Sequence, residues 1–175
     1  MGNTETMDAF EAVRTVLAVR RYQTRDVPKH IVRNIIEAAR LTGSSMNAQP
    51  WHFVVVTDRD MLRRLGGVLR TGPYVADAAF AVVVAVAASS RFAVSDASRA
   101  IQSMVVAAWG DGVGSNWVGF GGLREVAAML AVPEDHDVLA VVAFGYPTRE
   151  RFSGRKDRKP LSAVASAERF GRPFD

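Results

Sequence analysis

Residues 44–51 read Ser-Ser-Met-Asn-Ala-Gln-Pro-Trp, which places two hydroxyls and two primary amides within six residues. Ser44, Ser45, Asn47 and Gln49 can each donate and accept, so the stretch is a compact hydrogen-bonding surface for a polar ligand. The same residues would equally serve as a capped turn that carries Trp51 into a core. A second candidate is the stretch Gly110–Gly122, GDGVGSNWVGFGG, with six glycines. Glycine lets the backbone approach another surface closely, and peptide N–H groups there could meet the rim of a flat heterocycle. The glycine order is not G-x-G-x-x-G, and no GxxxxGK[ST] string occurs. Neither a dinucleotide fingerprint nor a phosphate loop is supported.

The third candidate is charge. The chain carries +4 overall, but residues 149–172 hold eight basic side chains against three acidic ones, so this arm is +5 and the rest is −1. A basic arm on a near-neutral body suits a phosphorylated ligand, nucleic acid or an anionic membrane, or serves as a solvated tail. Aromatic interleaving is limited to Phe152 and Phe170, and the cations do not share a helix face, which argues against nucleic acid. Cysteine is absent, which excludes disulfides, thiolate-held metals and a cysteine nucleophile. The three histidines (His30, His52 and His136) lack metal-ligand spacing, so no metal is expected. No serine–histidine–acid set or matched carboxylate pair stands out, and no side chain is assigned as a catalyst.

The elements that must position these groups follow from periodicity. Phe10, Val13, Leu17 and Ala18 predict a helix from Met7 to about Arg20. A second begins near Pro28 and runs to Thr42. Phe53–Thr57 reads as a strand and Asp58–Val68 as a helix. Ala79–Ala88 is apolar but shorter than the roughly 20 residues a membrane span needs, and is expected to be a strand buried on both faces. Ser95 is the expected N-cap of a helix from Asp96 to Trp109, apolar nearly all round. A short helix spans Leu123–Leu130 and a last strand Val138–Gly145. Tyr22, Trp109 and the Met104 face are assigned to packing, Trp117 and Phe120 to the core or, second, to walling a flat ring, and His52 to packing or hydrogen bonding. At 175 residues the chain suits one domain. Residues 1–6 are expected to be a flexible amino terminus, and Gly2 with Thr6 only loosely matches a myristoylation start. The acidic MGNTETMDAF opening is not a signal peptide. A cytoplasmic protein with no membrane or nucleic-acid partner is expected.

Arg20-Arg21-Tyr22, then Pro28 and a helix, then Ser44-Ser45-x-Asn47-x-Gln49-Pro50-Trp51 and a β-branched run, resembles the nitroreductase family of flavin enzymes. Gly110–Phe120, Gly145-Tyr146-Pro147 and Arg158-Lys159-Pro160-Leu161 extend the resemblance over about residues 8–165. It implies an α+β fold, three-layer α/β/α, with a central mainly antiparallel sheet flanked by helices, and a homodimer with FMN in the shared cleft. It implies an NAD(P)H-dependent enzyme in which nicotinamide and a small-molecule electron acceptor, a nitroaromatic or quinone, use the same face in turn. Residue by residue, the resemblance assigns Arg20 and its neighbour Arg21 to the phosphate or ribityl chain. Ser44, Ser45, Asn47 and Gln49 fall in the segment that lines the flavin from the partner subunit. Val118 and Gly119 fall where a backbone N–H meets flavin N5, and Lys156 and Arg158 match the pair that reaches the phosphate. One departure is large. Val16-Leu17-Ala18 stand where the family has arginine–arginine–serine, and Gly43 replaces a proline. Charge-assisted hydrogen bonds contribute roughly 1.5–3 kcal/mol each, so phosphate binding falls to Arg14, Arg20, Lys156 and Arg158. A flavin-sequestering relative with little redox turnover is the alternative.

Overall fold

The computed structural model describes residues 7–148 and 156–174. Four strands form one sheet: β1 (Trp51–Val56), β2 (Phe80–Ala87), β3 (Gly114–Val118) and β4 (His136–Gly145). Their order is β1-β2-β4-β3 and every pairing is antiparallel. Along β2, Phe80, Val82, Val84 and Val86 point to one core, while Ala81 and Val83 point to the other. The first core is closed by α2 (Lys29–Arg40) and α4 (Ala93–Gly110), and the second by α3 (Arg59–Val68) and α5 (Leu123–Met129). An antiparallel sheet commonly leaves one face to water. This one has helices on both, which is why β2 is apolar without alternation and why the layers are α/β/α, as expected. Phe80 and Phe144, opposite one another on β2 and β4, stack at 4.8 Å between ring centroids.

Capping fixes the helix starts. Asp58 accepts from the Met61 N–H at 2.8 Å and opens α3. Asp8 does the same for Glu11 and opens α1 (Ala9–Thr15). The first helix is therefore shorter than its apolar spacing predicts. From Val16 the chain is drawn out by tertiary bonds: Val19 N–H donates to the Ser115 carbonyl at 2.8 Å, and Tyr22 bridges to Pro147. These sheet-like contacts override a local preference already weakened by β-branched Thr15, Val16 and Val19. Helix α4 starts three residues before the expected position, with Phe92 rather than Ser95 as N-cap. The largest difference is β3, which lies inside the glycine-rich stretch. Glycine, serine and asparagine are poor strand formers, but Gly114 is required there, since a Cβ would sit 2.4 Å from Val19 Cγ2.

Candidate functional site

The Ser44–Gln49 segment is held by helix α4. Past the end of α2, Thr42 Oγ1 donates to Ser103 Oγ at 2.7 Å, and the Ser45 N–H donates to Asp96 Oδ2 at 3.0 Å. Within the segment, Ser44 Oγ accepts the Gln49 N–H at 2.9 Å and Gln49 Nε2 donates to the Asn47 carbonyl at 3.1 Å. Met46, Asn47 and Gln49 have φ of 52°, 55° and 48°. A left-handed conformation costs an L-residue about 1–2 kcal/mol, and only Asn among these three tolerates it readily. The outcome combines both sequence readings: Trp51 packs on the core, while Met46, Asn47 and Gln49 stay exposed.

Arg20 and Arg21 lie on the extended stretch after α1. It is zipped to residues 146–148: Gln23 N–H donates to the Tyr146 carbonyl at 2.8 Å, Gln23 Nε2 to the Pro147 carbonyl at 2.7 Å, and Thr148 N–H to the Arg21 carbonyl at 3.2 Å. Two motifs far apart in sequence are thus one structural unit. Tyr22 anchors it, buried, with its hydroxyl donating to the Val19 carbonyl at 2.7 Å; burial pushes the phenol well above the usual tyrosine range. Gly145 makes room for that ring, because a Cβ would lie 2.8 Å from Tyr22 Cδ1. Arg20 and Arg21 are exposed and, with Arg25, Arg59 and Arg63, line an open groove of about 700 Å³. Arg59 donates to the Ala76 and Ala78 carbonyls and Arg63 pairs with Asp60.

Val118 closes β3 with its side chain fully buried; a Cβ on Gly72 would sit 2.5 Å from its Cγ2. Its side chain therefore cannot serve a ligand. At Gly119 a Cβ would come within 2.8 Å of Trp117 Nε1, so a larger residue would collide with the indole. Trp117 and Phe120 are 40% and 78% exposed. They are therefore not core residues: β3 is an edge strand, and both rings reach the surface. Partly exposed Gly119 thus stands in the chain between two exposed aromatic residues. Asn116 Nδ2 donates to the Tyr74 hydroxyl at 2.6 Å and fixes the strand to the segment before β2. His52 is exposed on β1 and borders a small apolar cleft of about 190 Å³ with Pro133 and His136.

The basic arm returns to the amino-terminal helix. Lys156 Nζ donates to the Val13 carbonyl in the last turn of α1. Burial first, and then the neighbouring Arg158 guanidinium, push the Lys156 ammonium below its ordinary value. Two cations therefore stand side by side, and the Arg158 hydrogen bond is to the Asp157 carbonyl rather than a carboxylate. Arg14, in contrast, is spoken for by Glu11 at 2.7 Å. Arg149, Arg151 and Arg155 lie outside the described residues, as do residues 1–6.

These groups fall at two ends of α4. At its carboxyl end, Trp109 Nε1 donates to Thr15 Oγ1 at 2.9 Å and pins α1, with Lys156 beyond it. At its amino end, Asp96 holds Ser45. Asp96 and Trp109 are nearly four turns apart, about 20 Å along the axis. One copy thus does not bring the polar Ser44–Gln49 segment and the α1–Lys156 cations together. Asp96 is the residue that the sequence reading missed. An aspartate in the first turn of a helix reads as an ordinary dipole partner, and no sequence signal announces its bond to a backbone 51 residues away.

Comparison with known proteins places the family and the fold. The model of the nitroreductase family matches residues 14–87 and 68–146. A Methanothermobacter thermautotrophicus protein, provisionally named NADH dehydrogenase/NAD(P)H nitroreductase, is 34% identical over 154 residues, covering 83% of this chain and 81% of its own. A Parabacteroides distasonis crystal structure under the same provisional name superimposes with a TM-score of 0.82 at 27% identity, over 87% of this chain and 94% of that one. An FMN-dependent nitroreductase from Clostridium difficile gives a TM-score of 0.75 at 26% identity, over 79% and 87%. With sequence and fold in agreement over most of its length, the chain belongs to the nitroreductase family.

Proposed function

We propose that this protein is an FMN-dependent oxidoreductase, working as a homodimer, that uses NAD(P)H to reduce nitroaromatic or quinone-like acceptors by a ping-pong sequence. The observation that carries this reading is the separation of the two half-sites along α4. The Ser44–Gln49 segment and the Arg20, Lys156 and Arg158 cations complete one cleft only if a second copy places its α4 in the opposite direction. Exposed Phe10 and Val13 on α1 give that second copy an apolar surface to cover. The whole chain forms one such unit, with 149–175 as its basic arm.

The residues present fit the cofactor. Lys156 and Arg158 flank Asp157 but bond to backbone carbonyls, not to a carboxylate, among the described residues. They suit a phosphate dianion, which would offset the burial and the Arg158 repulsion that hold the Lys156 ammonium below its ordinary value. Trp117 and Phe120 present flat apolar surface beside the Val118–Gly119 backbone, suited to a planar ring. Ser44, Ser45, Asn47 and Gln49 offer donors and acceptors to the polar edge of that ring and its side chain. FMN, when bound, supplies the two-electron chemistry between nicotinamide and acceptor. The protein's own part is to hold the phosphate, orient the ring and leave one face open, without an acid–base side chain of its own. The Clostridium difficile relative, named as FMN-dependent, supports this reading.

The test is direct. Purified protein supplied with FMN should retain it stoichiometrically and bleach anaerobically with NADH or NADPH, and the colour should return with a quinone. A colourless protein that takes up no FMN refutes the reading. A second reading, flavin storage with little turnover, is favoured by Val16-Leu17-Ala18, which offer the phosphate no side-chain donor. Its signature is yellow protein that neither nicotinamide bleaches.

A further inference from the structure

Helix α4 contains one buried carboxylate, Asp96, which is 1% exposed and one turn inside the helix. Its Oδ2 accepts the Ser45 N–H and its Oδ1 takes the Arg99 guanidinium. One turn up and one turn further, Ser103 receives Thr42. Asp96 and Ser103 are two helical turns apart, about 10.5 Å, and Thr42 to Ser45 is three residues, which span about 10–11 Å only when nearly fully extended. Ser44 is indeed extended, at φ −126° and ψ 157°. The link thus runs along α4 between two polar anchors. Immediately beyond that anchor the backbone turns left-handed at Met46, Asn47 and Gln49. Strained conformations of this kind persist only where the surroundings over-determine them. Ser45 is the residue at which the restraint is applied.

We propose that Asp96 is a positioning residue of the flavin site: its carboxylate fixes the Ser45 amide and thereby holds residues 46–49 in the left-handed turn that presents Ser44, Asn47 and Gln49 to the cofactor. The proposal rests on the FMN reading above. The hydrogen-bond acceptor at position 96 is what matters, more than the charge, because the Arg99 partner is on the solvent side and 56% exposed.

Three substitutions test it: Asp96→Leu, which keeps apolar volume but removes the acceptor, Asp96→Ala, and Asp96→Asn, which keeps an acceptor and loses the ion pair. Amide hydrogen exchange is followed on the flavin-free protein, and FMN affinity by quenching of flavin fluorescence. Exchange at residues 45–49 should quicken at least tenfold in Asp96→Leu and Asp96→Ala, with residues 100–104 unchanged, and FMN affinity should fall at least tenfold. Asp96→Asn should restore both to within about threefold of the unsubstituted protein. Should Asp96→Leu match the unsubstituted protein in both measurements, or Asp96→Asn fail as badly as Asp96→Leu, the proposal is overturned. If the unsubstituted protein binds no FMN, the functional reading falls, and exchange at residues 45–49 alone decides whether Asp96 sets the turn.

Discussion

The ammonium of Lys156 donates to the carbonyl of Val13, 143 residues earlier, so the carboxyl-terminal arm closes on the last turn of the amino-terminal helix. That contact gives the orphan carbonyl at a helix end a cationic partner. It also sets Lys156 directly before Val16-Leu17-Ala18, where the side chains supply no donor of their own. Replacing Lys156 or Arg158 by alanine should weaken FMN binding several-fold or more, read by fluorescence quenching, with the circular dichroism spectrum unchanged. An unaltered dissociation constant would show that the arm does not reach the phosphate.

Phe10 is 76% exposed and Val13 51%, both on the outer face of α1. Light scattering should report a dimer, and Phe10→Asp should shift it towards monomer. On the proposed shared cleft, the monomeric fraction should lose its flavin. A flavin-loaded monomer would count against the shared site.

Two glycines in turns should respond in opposite ways. Around Gly43 a Cβ would meet nothing within 4 Å, and its φ is outside the left-handed region. Gly43→Ala should raise stability by about 0.4–1 kcal/mol through the unfolded chain's entropy. Gly122 has φ +86°, and a Cβ there would lie 2.1 Å from the Val68 carbonyl oxygen. Gly122→Ala should lower stability by roughly 2 kcal/mol or more. Urea melts of the two variants compare them directly.

Tyr22 should resist ionisation in the folded protein. Burial raises its phenol above the ordinary 10.0, so between that value and its folded value the native state binds more protons than the unfolded one. Its contribution is therefore fully present below pH 10 and is lost as pH rises beyond it. Tyrosinate difference absorbance between the unsubstituted protein and Tyr22→Phe should show that Tyr22 ionises only on alkaline unfolding. Tyr22→Phe should cost about 1 kcal/mol at neutral pH for the lost hydrogen bond, and stability should then fall less steeply above pH 10.

The first helix and the glycine-rich stretch show how local pattern and tertiary contact divide the work. Apolar spacing carries the helix reading through Ala18, yet Ser115 takes the Val19 N–H and the helix stops at Thr15. Periodicity predicts no strand within 110–122, yet β4 supplies a partner for 114–118 and makes them one. In both cases the deciding bond comes from a segment roughly 30 to 100 residues away in sequence, which no window of periodicity contains.

What the sequence alone determined was the layer plan and the chemistry on offer. The unbroken apolar run of β2 demands cover on both faces, and the Ser-Ser-x-Asn-x-Gln-Pro-Trp string, the glycine turn and the basic arm carry the family resemblance. Tertiary structure decided where those groups stand: the polar segment at one end of α4, the cations at the other, and a buried aspartate between them and the turn it holds. The physical reason is that side-chain types and short-range periodicity are properties of neighbours in the chain. A hydrogen bond from Ser45 to Asp96 exists only once the two helices have packed.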